Sequence, residues 1–222
     1  MKTVAFVPIK LNNERLPGKN LKSFYNGKPL IEYILRTLQN VEEIDEIYVY
    51  CSDPQIKKYL NDKIIFLKRE QYLDLSTTSF NKVLTTFAEK VPADIYVLTH
   101  ATAPFLKKET FKKAILAVKS GKYDSALSVQ KLQEFLWKDN KPYNYNPKNI
   151  PRTQDLEPYY TETCGMYVYT SKLIKQEERR IGFCPYLVEV SKIEATDIND
   201  YDDFEIANGI AMLLDKKFDW RL

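Results

Sequence analysis

The chain is poor in the residues that build metal and redox centres, with one histidine and three cysteines among 222 residues. Cys51, Cys164 and Cys184 form an odd, widely spaced trio without a CxxC pair. Neither a zinc site nor a disulfide framework is therefore supported, and the simplest reading is reduced thiols in a cytoplasmic protein. Neither phosphate-cradling glycine pattern is present, GxxxxGK[ST] or GxGxxG, which removes support from P-loop kinases and dinucleotide oxidoreductases. No apolar run approaches membrane-spanning length, and the chain enters a predicted strand within three residues with no signal-peptide pattern, so no membrane association is expected. Charge is nearly balanced, 33 basic against 30 acidic residues for a net +3, too small a surplus to imply nucleic acid. The sixteen tyrosines are spread along the chain and form no RNA-binding aromatic motif. No repeat, linker or low-complexity tract appears, and 222 residues suffice for one domain with a sizeable core.

What is present is concentrated near the N-terminus. Residues 4–9 are an apolar, β-branched run of strand length, and a basic segment follows directly. Lys10, Arg15, Lys19, Lys22 and Lys28 place five cations within nineteen residues against one acid, Glu14. Such an imbalance asks for an anion, although a solvated loop that is basic by chance has the same composition. Pro17-Gly18 is a turn signal, Gly27 a second break, and Pro29 suits the first turn of a helix over 30–38. In an α/β sheet the loop after the first strand lies where ligands bind.

Further along, strands are expected at 46–51, 63–67, 94–98, 124–129, 163–170 and 186–190, with helices at 54–60, 80–90, 110–119 and 200–214. The alternation predicts an α/β fold, doubly wound around a mostly parallel sheet with helices on both faces. Between 130 and 160 the rhythm fails. Four prolines and mixed polar and aromatic residues predict an irregular excursion that carries function or an interface. The apolar triplet Phe135, Leu136 and Trp137 within it points to a homodimer in which this segment reaches across.

The segments PIKLNNERLPGKN and GKPLIEYIL resemble the opening motif of the acylneuraminate cytidylyltransferase family, which includes CMP-sialic acid and CMP-Kdo synthetases. The match is specific at Pro8, Arg15, Pro17, Lys19, Asn20 and residues 27–31; Lys10 stands where the family has arginine. A lysine keeps the charge and loses the bidentate fork. Ser52-Asp53 resembles the family's STD, and Arg69 the arginine opening its RP.ELA segment. Thr99 to Phe105 sits where the family carries LQPTSPL, with His100 at the glutamine and Thr102 and Pro104 matching. Residues 151–156 and 160–167 resemble RRQDLPxxYxENGAIY, bringing Arg152 and Gln154, and residues 197–204 resemble DIDTxxDF with Asn199 at the second aspartate.

The resemblance implies a Rossmann-like nucleotidyltransferase domain spanning 1–222 that transfers CMP from CTP to the hydroxyl of an acidic sugar, releasing pyrophosphate. It implies Lys10, Arg15, Lys19 and Asp197 as catalytic; Pro8, Lys10, Asn20, Ser52, Asp53 and Arg69 as nucleotide contacts; and His100, Thr102, Arg152 and Gln154 as acceptor contacts. It also implies Mg²⁺ at Asp197 and Asn199, while the departures at Lys10, His100 and Asn199 equally suit a nucleotidylyltransferase with a non-sialic acceptor or a nucleotide-sugar-binding relative without turnover. Read without it, Asp53 is equally a helix cap, His100 a structural residue at a strand end, and the acidic run 200–203 a solvated helix start with Asp200 as its cap.

Overall fold

The central strand β1, Thr3–Ile9, is buried along nearly its whole length, as its unbroken apolar run requires of a parallel strand covered on both faces. The structure is a computed structural model describing residues 1–219. β1 pairs in parallel with β2 (Glu46–Cys51) on one side and β4 (Ile95–Thr99) on the other, and β3 (Ile65–Lys68) extends the sheet beyond β2. β8 (Tyr159–Thr170) is antiparallel and inserted between β4 and β5 (Ser125–Leu132); β9 (Pro185–Glu189) pairs in parallel with β5 at the edge. The resulting order is β3-β2-β1-β4-β8-β5-β9. The chain leaves β1 toward β2 and β3 and later returns on the other side as β4. The crevice between the carboxyl ends of β1 and β4 is thus the topological switch point, the position at which open α/β sheets bind ligands.

Helices cover both faces. α1 (Leu30–Leu38) and α3 (Lys108–Lys119) bury Ile34, Leu38, Phe111 and Ile115 against Val7, Val49 and Val97. On the other face α2 (Phe80–Lys90) and α4 (Ser171–Glu177) bury Phe87, Leu84 and Ile174 against Phe6, Tyr96 and Tyr167. A third cluster joins Leu16 and Phe24 of the basic loop to Phe105, Ile198 and Phe204, so α5 (Tyr201–Asp219) is packed onto that loop. No helix among the described residues is long and apolar enough to cross a membrane.

The structure departs from the sequence expectations in several places. Residues 54–59 form a 3-10 turn rather than an α-helix; Asp53 caps it by accepting the Gln55 N–H at 2.9 Å. Pro29 is the cap of α1, in extended conformation, not its first helical residue. Seven-residue α4 has no counterpart in the sequence reading, because only Leu173 and Ile174 face the core and so short a helix shows no period. The excursion at 130–160 is more regular than expected. β5 and β8 continue past the sheet as a two-stranded ribbon, pairing Val129 with Glu162 through Leu132 with Tyr159 after an irregularity at 127–129. Beyond it lies a hairpin, β6 (Trp137–Lys138) and β7 (Lys141–Pro142), turned through Asp139 and Asn140 at φ 51° and 59°. Two consecutive positive φ values are the signature of a type I′ turn, which Asp and Asn tolerate. Past Val129, the last residue of β5 that β9 pairs, no third strand joins the ribbon, its residues are half-buried or exposed, and the alternation that would have announced it is absent.

Candidate functional site at the carboxyl end of the sheet

The basic loop is folded back on itself. Gly18 takes a left-handed φ of 67°, which glycine adopts without steric cost, and starts the 3-10 turn Lys19–Leu21. Asn20, buried, donates its side-chain amide to the Lys10 carbonyl at 3.0 Å, and the Leu30 N–H reaches the Lys22 carbonyl at 3.0 Å. This clamp fixes Lys10 at the end of β1 and aims Arg15 and Lys19 toward the start of α5.

There the chain forms a second clamp. Asp203 accepts the backbone N–H groups of Asn199 (2.8 Å) and Asp200 (3.3 Å), while Asp200 accepts the Asp203 N–H at 3.1 Å. This reciprocal pattern is a capping box, with Asp203 in the place of the usual Glu. Asp200 is the cap that the sequence left as an alternative, and Asp197 is outside it. Arg15 Nη2 donates to Asn199 Oδ1 at 3.0 Å, and Lys19 Nζ to the Ile198 carbonyl at 2.9 Å. Asn199 Nδ2 donates to Asp197 Oδ2 at 2.9 Å, and the Ile198 N–H donates to the Thr102 carbonyl at 2.9 Å. Arg15, Lys19, Thr102, Asp197 and Asn199 are therefore one assembly. Desolvation lowers the Lys19 pKa, opposed by Asp197 and reinforced by Arg15. An ammonium held with part of its hydration removed is poised for an anion.

Beside this assembly, β2 and β3 border a cleft of about 660 Å³ lined by Leu11, Asn12, Ser52, Asp53 and Asp74. It adjoins a smaller cavity of about 260 Å³ lined by Pro8, Lys10, Arg69, Asp74 and Phe80. Arg69 is only 3% exposed and pairs with Asp74, whose other oxygen accepts the Ser52 hydroxyl. A buried guanidinium demands such a partner. Asp74 is a site residue that the sequence did not disclose: the spacing of five from Arg69 matches no helical or strand period, and only tertiary structure brings the two together.

His100 sits at the end of β4, its ring 5.5 Å from that of Phe80. Desolvation, with the charges of Arg180 and Lys19, pushes its pKa down to about 4. The imidazole is neutral at physiological pH and can accept a hydrogen bond, but a base this weak is a poor proton acceptor. Arg152 and Gln154 are not brought to this cluster. Arg152 lies on the outlying segment with its side chain 73% exposed, forking onto Asp155 at 2.7 and 2.9 Å. The Gln154 carbonyl accepts from Gln133 on the same segment at 3.4 Å.

Among the described residues no three His, Cys, Asp or Glu side chains are grouped as a metal site. The Asp197 carboxylate has the hard oxygen chemistry of a Mg²⁺ ligand, an ion commonly held by one or two carboxylates plus substrate phosphates, whereas the Asn199 oxygen accepts from Arg15 and its NH2 faces Asp197, so Asn199 could join a metal only by turning its amide.

A profile of the cytidylyltransferase family matches residues 4–210. The chain is 25% identical over 182 residues to an N-acylneuraminate cytidylyltransferase from Oncorhynchus mykiss, covering 78% of this chain and 42% of that protein. It is 26% identical over 194 residues to a pseudaminic acid cytidylyltransferase from Campylobacter jejuni, covering 80% and 82%. A 3-deoxy-manno-octulosonate cytidylyltransferase from Escherichia coli is 25% identical over 199 residues, covering 78% and 74%. The chain thus spans less than half of the fish enzyme and most of the bacterial ones. In three dimensions it resembles CMP:2-keto-3-deoxy-manno-octonic acid synthetase complexed with CTP, at a TM-score of 0.71 and 17% identity over 96% of this chain and 99% of that one. A 4-diphosphocytidyl-2C-methyl-D-erythritol synthase from Anaerococcus prevotii gives 0.68 at 15% identity, covering 95% and 96%. These two likenesses speak for the shared α/β nucleotidyltransferase fold, and with the profile spanning nearly the whole sheet and its switch-point loops, the chain belongs to the cytidylyltransferase family.

Proposed function

We propose that the protein transfers the cytidylyl group of CTP to the hydroxyl of an acidic sugar. The observation that carries this reading is the joining of the basic loop to the start of α5 at the switch point, through Arg15 to Asn199 and Lys19 to the Ile198 carbonyl. The acceptor hydroxyl oxygen attacks the α-phosphorus, the bond to the bridging oxygen of the β-phosphate breaks, pyrophosphate leaves, and the hydroxyl proton is released. Such a reaction needs alignment and charge neutralisation more than a covalent nucleophile. Lys10, Arg15 and Lys19 are read as neutralising the triphosphate, and Pro8, Asn20, Ser52, Asp53 and Arg69 as shaping the nucleotide cleft. His100, neutral, is read as an acceptor contact beside Thr102. Mg²⁺ would be held by Asp197, with Asn199 as a neutral oxygen ligand, and would supply further neutralisation of phosphate charge.

Relatives named for N-acylneuraminate, pseudaminic acid and 3-deoxy-manno-octulosonate support an acidic acceptor. We read the protein further as a cytoplasmic homodimer. The hairpin exposes Trp137 at 63% and the segment after it Ile150 at 64%, apolar surface suited to a second copy. The test is pyrophosphate release with CTP, ATP, GTP and UTP against those three acids. Release with CTP and at least one acid is expected; CTP binding by calorimetry with no release from any acid would overturn the reading in favour of a non-catalytic binding protein.

A further inference from the structure

The sheet face under α2 and α4 carries a cation that the nucleotide cleft does not use. α4 ends on Glu178 in a left-handed conformation, and the chain turns back through Arg179 and Arg180 to reach β9. This connection is anchored. The Asp124 carboxylate accepts the N–H groups of Phe183 (2.7 Å) and Cys184 (3.2 Å), and Ser125 Oγ accepts that of Gly182 at 2.8 Å. A Cβ on Gly182 would meet the Asp124 carboxyl at 2.2 Å, so the close approach requires glycine. The two arginines separate: Arg179 lies 4.2 Å from the Phe183 ring, whereas the Arg180 guanidinium lies 3.7 Å from the Tyr167 ring and 5.4 Å from that of Phe80.

Phe80 leads to the site, since it also touches His100 and lines the cavity with Pro8 and Lys10. The charge of Arg180 is felt by His100, Tyr167 and Tyr169. Glu162, on the far end of Tyr167, accepts the tyrosine hydroxyl at 2.7 Å, and among the described residues no carboxylate pairs with Arg180. A guanidinium 3.7 Å from a ring centroid is held by a cation–π contact, and with no carboxylate among the described residues paired to it, its N–H donors remain available to grip a carboxylate with two parallel bonds.

We propose that Arg180 receives the carboxylate of the acidic acceptor, a specificity role resting on the acidic-sugar reading above. Within one chain Arg152 lies on the exposed segment, away from His100, and Arg180 is a guanidinium whose charge His100 feels. Lys10, Arg15 and Lys19 belong to the basic loop, whereas Arg180 comes from the connection between α4 and β9 and lies on Tyr167, so Arg180 is assigned the acceptor's anion rather than the triphosphate's. The position also explains the coupling to His100. One anchored loop brings a carboxylate-binding fork next to the neutral imidazole that faces the same sugar.

The test compares wild type, Arg180→Met and Arg180→Lys with CTP and N-acetylneuraminate, pseudaminate or 3-deoxy-manno-octulosonate, and with the amide of whichever acid reacts. Loss of a charge-assisted bond predicts a KM for the acid raised about ten- to hundredfold in Arg180→Met. Arg180→Lys should fall between, keeping charge without the fork. The CTP dissociation constant should not change, and the neutral amide should react equally with wild type and Arg180→Met. An unchanged acid KM, or an equal loss with acid and amide, overturns the role of Arg180 while leaving the acidic-sugar reading intact. A fall in CTP affinity without a change in acid KM assigns the guanidinium to phosphate and also overturns it. Failure of the wild type on all three acids overturns the acidic-sugar reading and this inference together. Should Arg180→Met not fold by thermal melt, Arg180→Lys alone decides, through acid KM against amide KM.

Discussion

The switch-point site and the β5–β8 ribbon are built from opposite kinds of contact. At the site the bonds that hold charged groups span 184 residues for Arg15 to Asn199 and 179 for Lys19 to Ile198. In the excursion that the ribbon carries, side-chain bonds such as Arg152 to Asp155, and Asn144 to the Glu134 carbonyl and the Leu136 N–H, are short in sequence. Long-range bonds close large loops and exist only when the whole sheet is formed, so the site is positioned by the global fold. Local bonds shape the excursion without burying it. The site gathers cations at the switch point, and the segment beyond the ribbon leaves Trp137 and Ile150 exposed.

The strongest way to break this contrast is Asp197→Ala. Asp197 lies outside the capping box formed by Asp200 and Asp203, so turnover should fall by about a thousandfold while the thermal melt holds. A lowered melt with normal activity per folded molecule would make Asp197 structural. Lys19→Ala should weaken CTP binding by about ten- to hundredfold in calorimetry, because it removes a partly desolvated cation. Unchanged affinity would move the phosphate site off this loop. In the excursion beyond the ribbon, Trp137→Asp with Ile150→Asp should convert the proposed dimer to a monomer in light scattering at assay concentration; a persisting dimer would place the interface elsewhere.

Two smaller effects sharpen the comparison. Asn199→Asp replaces the amide bond to Asp197 with two carboxylates side by side, a repulsion that Mg²⁺ would relieve. The variant should melt lower than wild type without Mg²⁺, recover on adding it, and need severalfold less Mg²⁺ for half-maximal activity. A melt and Mg²⁺ dependence matching wild type would exclude residue 199 as a ligand. His100, with its pKa held near 4 against 6.5 when unfolded, takes up its proton on unfolding as pH falls below 6.5. Its contribution to stability is therefore lost between pH 6.5 and 4. His100→Gln should melt progressively higher relative to wild type across that window, and a pH-independent difference would show that the imidazole is not desolvated.

Much of the frame was legible. β1, β2 and β4 announce themselves by unbroken apolar runs, and α1 and α2 by helical periods with a Pro or Ser at the start. The basic loop was legible because Pro17, Gly18, Lys19 and Asn20 are neighbours in sequence. α4 and the ribbon were not, since seven residues carry no period and a ribbon half-buried or exposed past Val129 carries no alternation. Asp74 and Arg180 were hidden for another reason: each acts through a partner on a different element.

The sequence by itself determined the buried central strands β1, β2 and β4, the helices α1 and α2, the turn at Pro17-Gly18, and that a cluster of cations follows the first strand. These depend on contacts a few residues apart, whose physics a local pattern carries. Only the tertiary structure decided that β8 enters antiparallel between β4 and β5, that Arg15 and Lys19 meet the start of α5, and that Arg180 lies on Tyr167 beside His100. Those meetings follow from strand order and helix docking, which are settled by burying both faces of the sheet at once, and no short stretch of residues encodes that.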